Sequence, residues 1–285
     1  MKLLSIVISS FVLLPLTAAA FSPARTSGAT IHLPLRTRVQ PFHGNSPWVE
    51  AHFDETIVNS KTAIVITDMW DKHWCDGETK QVALIAQRME PLLEKARSAG
   101  ILIIHAPSDT MDFYAKAPGR LLAENAPHVA PPPEIKFQDA PLPIDDSDGG
   151  CTTPGDKPYQ AWTREISTLS IHPGDIISDK GSEIYNVLKQ HHIDTVLFVG
   201  AAANMCVLNR TFGIRQLSKW GLRCVLVRDL TDTMYDSASR PYVSHAAGTE
   251  LVVEFIEKYW APTVTSNELL TALKSGSPSS PRKLQ

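Results

Sequence analysis

Short runs of branched apolar residues, each about one strand long, decide what this chain can fold into. The segments TAIVIT (62–67), ILII (101–104), TVLFV (195–199) and RCVLVR (223–228) are apolar through most of their length rather than alternating. That pattern belongs to strands covered on both faces. Between the first two runs, Val82, Ile85, Met89, Leu92, Leu93 and Ala96 make one helical stripe, closed by Gly100. Pro91 inside it is expected to bend the helix or mark its restart. A shorter strand is read at 175–178, with helices at 183–191, 206–219 and about 243–259. Buried strands alternating with amphipathic helices predict an α/β three-layer sandwich with a mostly parallel sheet.

The flanks of this pattern read differently. After Met1 and Lys2, an apolar run interrupted by Pro15 ends in Ala18-Ala19-Ala20, so residues 1–20 read as a secretory signal peptide. No Asp or Glu precedes Glu50, where about five would be expected from the overall composition. Residues 21–29 are therefore read as a loose tail or a transit-like segment. This gives two destinations, secretion or a complex plastid reached through a bipartite presequence. One domain is expected over 30–270, and a disordered tail over 271–285. The stretch 107–165, with Pro131-Pro132-Pro133 and the DDSDGGC run at 145–151, lacks periodicity and is expected to cover the sheet's ligand edge.

Composition removes several classes. With 27 Lys and Arg against 30 Asp and Glu, the net charge is −3, which argues against a nucleic-acid grip. Four cysteines in 285 residues are too few for a disulfide-dense scaffold, and no Cys-x-x-Cys supports a redox role. Hydrophobic residues at 43% are enough for a substantial core. Beyond the presequence no segment reaches spanning length, so no membrane association is expected of the mature form.

Ligands of such sheets bind beyond the carboxyl ends of the strands. That selects Asp68, His105, Lys180 and the segment 200–206, which ends in Cys206. A cysteine near a helix start, a carboxylate to take its proton and an ammonium to balance the charge make a nucleophilic site. On spacing alone, a simply buried thiol and a helix-capping Asp are the stronger reading.

The segments AIVITDMWD (63–71), SDKGSEIYN (178–186), GAAANMCVLNR (200–210) and GLRCVLVRDLTDT (221–233), followed by a helix holding His245, resemble the isochorismatase-like cysteine hydrolases. The resemblance covers about residues 62–260 and implies the Rossmann-like fold of that hydrolase group. It implies Asp68 as general base, Lys180 as charge-stabilising cation and Cys206 as nucleophile. It also implies a cis peptide at Ala201–Ala202 that turns the N–H groups of Ala202 and Cys206 toward an oxyanion. Ala203 stands where the group commonly has Thr, and the residues after Lys180 depart from the usual pattern. The DMWDKHWC phrase (68–75) points to a divergent branch.

The expected activity is hydrolysis of a small amide, ureide or carbamoyl C–N bond through an acyl-enzyme on Cys206. Vinyl-ether cleavage, or a binding protein that kept the fold, are the alternatives. Trp70, His73, Trp74 and His105 are expected to line the pocket for a small-molecule substrate. The Asp-x-His of nicotinamidases is missing from IIHAPSDTMDFY (103–114), so no metal and no cofactor is expected. Members of the group are usually oligomers, which implies a homo-oligomer. Cys75 and Cys151 read either as a disulfide tethering the 107–165 stretch or as two unrelated thiols, while Cys224 reads as core. The Asn209-Arg-Thr211 sequon lies on the helix after Cys206 and is read as buried rather than as a glycosylation site.

Overall fold

The computed structural model describes residues 28–42 and 46–276. The presequence expectation and most of the expected C-terminal tail lie outside them. Eight strands form one sheet: β1 (Thr30–Val39), β2 (Val49–Val58), β3 (Thr62–Thr67), β4 (Leu102–Ala106), β5 (Ile176–Ile177), β6 (Thr195–Gly200), β7 (Arg223–Thr231) and β8 (Thr263–Val264), in the order β2-β1-β8-β7-β6-β3-β4-β5. The run from β8 to β5 is parallel, while β1 pairs antiparallel with both β2 and β8. Every residue of β3, β4 and β6 is buried, as continuous apolar runs require.

Helices cover both faces. On one side α1 (Asp76–Ser98) and α7 (Ser266–Ser275) pack through Val82, Ile85, Met89, Leu93 and Leu269. On the other, α4 (Gly181–Gln190), α5 (Ile214–Lys219) and α6 (His245–Tyr259) pack through Ile184, Leu188, Leu217, Val252 and Ile256. The result is the three-layer α/β sandwich that the sequence predicts. Helix α1 continues through Pro91 as one element. Helix α7 runs to Ser275, past the boundary at 270 read from the sequence. None of the described helices is long and apolar enough to cross a membrane.

Two features depart from the sequence reading. The hairpin β1–β2 was not anticipated, although Ile31, Leu33 and Leu35 alternate inward at strand spacing. Pro34 masks that alternation, since proline in a run argues against an interior strand. The single helix expected over 206–219 is in fact broken. Ala203–Val207 form a π-helical turn, and Gly213 then opens the separate α5.

From β3 the chain winds outward to β4 and β5, then crosses back to β6 and winds the other way to β7. The winding reverses between β3 and β6, and the crevice at such a reversal is where these sheets bind ligands. The 107–165 stretch contains two short helices, α2 (Met111–Tyr114) and α3 (Pro118–Glu124), and lies over this edge. Cys151 anchors it in a disulfide to Cys75, the residue before α1. Gly150, at φ +64°, fits where any Cβ would collide with the Met234 carbonyl. The bridge closes 76 residues of chain. Replacing both cysteines with Ala should therefore lower unfolding free energy by roughly 2–4 kcal/mol in denaturant titrations. An unchanged midpoint would mean that the loop holds without its tether.

Candidate active site

Asp68 follows β3 at φ +45°, a left-handed conformation rare outside glycine, and is 1% exposed. Its backbone N–H donates to the Ala106 carbonyl at 3.2 Å. One carboxylate oxygen accepts from the Ser108 N–H at 2.7 Å, and the other from Arg210 Nε at 2.9 Å. The Cys206 thiol is close enough to this carboxylate for the two to interact. Burial pushes the Asp68 carboxyl above the usual range, against the opposing pull of Arg210, the thiol and Ser108.

Gly200 ends β6 at φ +109°, where a Cβ would strike the Thr67 carbonyl oxygen. The Ala201–Ala202 peptide is cis. The π-helical turn follows, and its Ala203 N–H donates to the Asp232 carbonyl at 2.7 Å. Cys206 is half-buried within the turn. Burial and the neighbouring Asp68 charge push its thiol well up, while Arg210 and the Ala202 N–H act in the opposite direction. The resting site is therefore a thiol facing a carboxylate, with a guanidinium beside both.

Arg210 is the cation of this site, and the sequence reading does not single it out. Its guanidinium bonds Asp68, reaches Asp109 Oδ2 with Nη2 at 3.5 Å, and lies 5.9 Å from the Trp70 ring centre. The signal was present: Arg210 sits four residues after Cys206, inside the GAAANMCVLNR segment, one helical turn away. Lys180 lies elsewhere. It immediately precedes α4 after the edge strand β5, its side chain is 59% exposed, and its Nζ lies 3.2 Å from Glu183 Oε1. Arg120, Ser178 and Lys180 together hold Glu183 down at about 2, against partial burial. The structure thus pairs Lys180 with Glu183 and puts Arg210 on Asp68, because a side chain one turn past Cys206 reaches the β3–β6 crevice directly. The breaking of the 206–219 helix also leaves a five-residue π turn at Cys206, with Arg210 the positive charge that acts on its thiol.

The expected pocket residues divide. Trp70 stacks on Trp162 of the covering loop, with ring centres 3.9 Å apart and planes at 5°. Its Nε1–H donates to the Ser108 carbonyl at 3.0 Å, which steadies the residue that holds Asp68. His73 stacks against both indoles at 5.8 Å and packs on Trp74. Burial depresses His73 to about 4, and its Nδ1 accepts the Cys75 N–H, so it is a neutral wall rather than a charge. Trp162, like Ser108, was not singled out from the sequence, because an aperiodic loop gives no sign of which residue it returns to the site.

His105 does not line the crevice. It is fully buried on the α1 side of the sheet between Glu165 (Nδ1 to Oε2, 2.6 Å) and Asp175 (Nε2 to Oδ2, 3.2 Å). Glu165 bridges to Trp70, and Asp71 accepts from Thr163 N–H and Oγ1–H, so His105 helps hold the strip that carries Trp162. Burial opposes its charge, but Glu165 and Asp175 more than offset this and raise it to about 9. A raised folded pKa gives stability that is complete below the unfolded value of about 6.5 and lost as pH rises through about 9. His105→Gln should remove that dependence. The wild type should lose about 2–3 kcal/mol more than the variant between pH 6.5 and 9.5 in urea titrations. Equal losses would place the proton elsewhere.

Two sets of three possible metal ligands occur among the described residues: Cys75, Cys151 and Asp156, and Glu90, Glu94 and His172. The first uses the sulfurs of the disulfide, and the second joins Glu90 and Glu94 of α1 to His172 at the surface. Neither includes a residue that touches Cys206.

No protein-family profile and no curated protein matches the sequence. Among solved structures, the chain is similar to a cysteine hydrolase from Pseudomonas syringae pv. phaseolicola 1448A, at 18% identity over 77% of this chain and 95% of that one, with a TM-score of 0.49. It is similar to an isochorismatase from Pseudomonas putida KT2440, at 17% identity over 73% of this chain and 90% of that one, with a TM-score of 0.45. It is also similar to an isochorismatase family protein from Burkholderia thailandensis, at 14% identity over 76% of this chain and 97% of that one, with a TM-score of 0.44.

Proposed function

We propose that the chain is a cysteine hydrolase that opens a small amide, ureide or carbamoyl C–N bond. The observation that carries this reading is the buried carboxylate of Asp68, bonded to Arg210 and interacting with the thiol of Cys206. Asp68, raised by burial, is a stronger base than an exposed carboxylate. Passing the proton from sulfur to Asp68 moves charge within the pair without creating any, and Arg210 faces the charge in either position.

In this scheme Cys206 Sγ forms a bond to the substrate carbonyl carbon as Asp68 takes the thiol proton. The carbonyl electrons move onto oxygen, which accepts a hydrogen bond from the Ala202 N–H. The tetrahedral adduct collapses, the C–N bond breaks, and Asp68 returns the proton to the departing nitrogen. Water then attacks the thioester with Asp68 as base. The acid leaves and the thiol is restored.

The test is a screen of amides, carbamoyl compounds and isochorismate with the mature protein. Release of ammonia or amine, together with a substrate-derived mass on the Cys206 peptide, is expected, and activity should survive a chelator. Vinyl-ether cleavage without any adduct, unaffected by loss of the thiol, would replace this reading with the second one.

A further inference from the structure

The turn that carries Cys206 is held largely from outside itself. Ala203–Val207 adopt π-helical geometry, which is rare and occurs mostly as single turns at functional sites. The N–H groups of Met205 and Val207 both donate to the Ala202 carbonyl at 3.1 Å. Other ties come from distant parts of the chain. The Ala203 N–H donates to the Asp232 carbonyl at 2.7 Å. Asn204 is 1% exposed, and both polar atoms of its side chain are engaged. Its Oδ1 accepts the Met234 N–H at 3.0 Å, and its Nδ2 donates to the Met234 carbonyl at 3.0 Å and to Asp146 Oδ2 at 2.7 Å. Asn204 thus binds the nucleophile turn to the segment after β7 and to the covering loop.

Asp146 is half-buried, and the loop has other anchors on both sides of it. The Asp145 N–H donates to the Arg240 carbonyl at 2.9 Å, and Asp148 accepts from the Ser239 hydroxyl at 3.0 Å. Gly150 seats against Met234, and Cys151 is bonded to Cys75. Asp146 is therefore presented to Asn204 from a fixed base. Removing its carboxylate leaves a buried N–H of Asn204 without that partner, and the turn loses its tie to the loop. Cys206 stands two residues further on in the same turn. A displacement of about 1 Å at a reacting atom can cost about 10²-fold in rate.

We propose that Asp146 is a positioning residue of the Cys206 site: acting through Asn204, it fixes the π turn so that the thiol sulfur stays aligned on the Asp68 carboxylate. This deepens the hydrolase reading and rests on Cys206 being its nucleophile. The covering loop then has two tasks, since its Trp162 closes over Trp70 while its Asp146 aligns the nucleophile.

The chromogenic ester p-nitrophenyl acetate tests this without a known substrate. Cys206 Sγ forms a bond to the acetyl carbon, the thiol proton passes to Asp68, and the carbon–oxygen bond breaks to release nitrophenolate. The rate is followed as acetyl mass on the Cys206 peptide from about pH 6 to about pH 9.5. A thiol aligned on Asp68 gains rate only until that carboxyl is ionised, and the profile then levels. A thiol turned away depends on its own ionisation, so its rate keeps climbing with pH. The wild type should level. Asp146→Ala should be about tenfold slower at pH 7 and should climb to the end of the range. Asp146→Asn keeps an acceptor for the Asn204 N–H without the charge and should match the wild type. If Asp146→Ala folds poorly, Asp146→Ser, whose side chain stops short of Asn204, gives the same comparison. A wild-type rate that never levels, an Asp146→Ala profile equal to wild type, or an Asp146→Asn as slow as the Ala variant overturns the positioning role and leaves the nucleophile standing. Absence of acetyl on Cys206 in the wild type overturns the nucleophile itself.

Discussion

Cys206→Ala should reduce turnover at least about 10³-fold while the protein keeps its fold and still binds substrate. The thiol is half-buried and contributes little packing volume, so its removal should cost little stability. What is lost is the sulfur that, in the proposed scheme, forms the acyl bond beside Asp68. Cys206→Ser should be nearly as poor, because an alkoxide is far harder to form than a thiolate at neutral pH. Asp68→Asn should also cost at least about 10²-fold, since the amide accepts no proton. Single-turnover kinetics with mass detection of the acylated peptide separate these cases: the Asn variant should acylate slowly, the Ala variant not at all. Near-normal turnover by Cys206→Ala would end the nucleophile reading.

Arg210→Met should cost about 10²-fold or more in kcat/KM, whereas Lys180→Met should change it by less than about threefold. Arg210 Nε sits 2.9 Å from Asp68, and its positive charge lowers both the Asp68 and the Cys206 pKa. Without it both groups should titrate higher, so the rate–pH profile of Arg210→Met should move toward alkaline pH as its maximum falls. Lys180 faces Glu183 with its side chain 59% exposed, so its loss should register mainly as a small change in stability. Arg210→Lys should recover part of the rate by restoring the charge without the planar fork. If Lys180→Met proved the damaging change, the cation implied by the sequence resemblance would be right and the one in the structure wrong.

The sequence by itself determined the parallel centre of the sheet. Fully buried strands must be apolar at every position, so TAIVIT and TVLFV could be read directly, as could the turn at Gly200. It also placed Asp68 and Cys206 at strand ends, because residues just beyond such strands fall at the crevice by topology alone. The hairpin β1–β2 was obscured by Pro34 and by the exposure of β2, where no buried face imposes a pattern. Only the tertiary structure decided which cation joins the pair, since a guanidinium one turn past Cys206 and an ammonium beyond β5 are both compatible with the spacing. It also decided between two loose thiols and the Cys75–Cys151 bridge, moved His105 from the pocket wall to a buried clamp, and brought Trp162 onto Trp70. These outcomes depend on where the aperiodic loop folds back. Its path is set by close approaches such as Gly150 against Met234 and by carboxylates such as Asp71, which act between residues far apart in the chain and leave no local signature in its sequence.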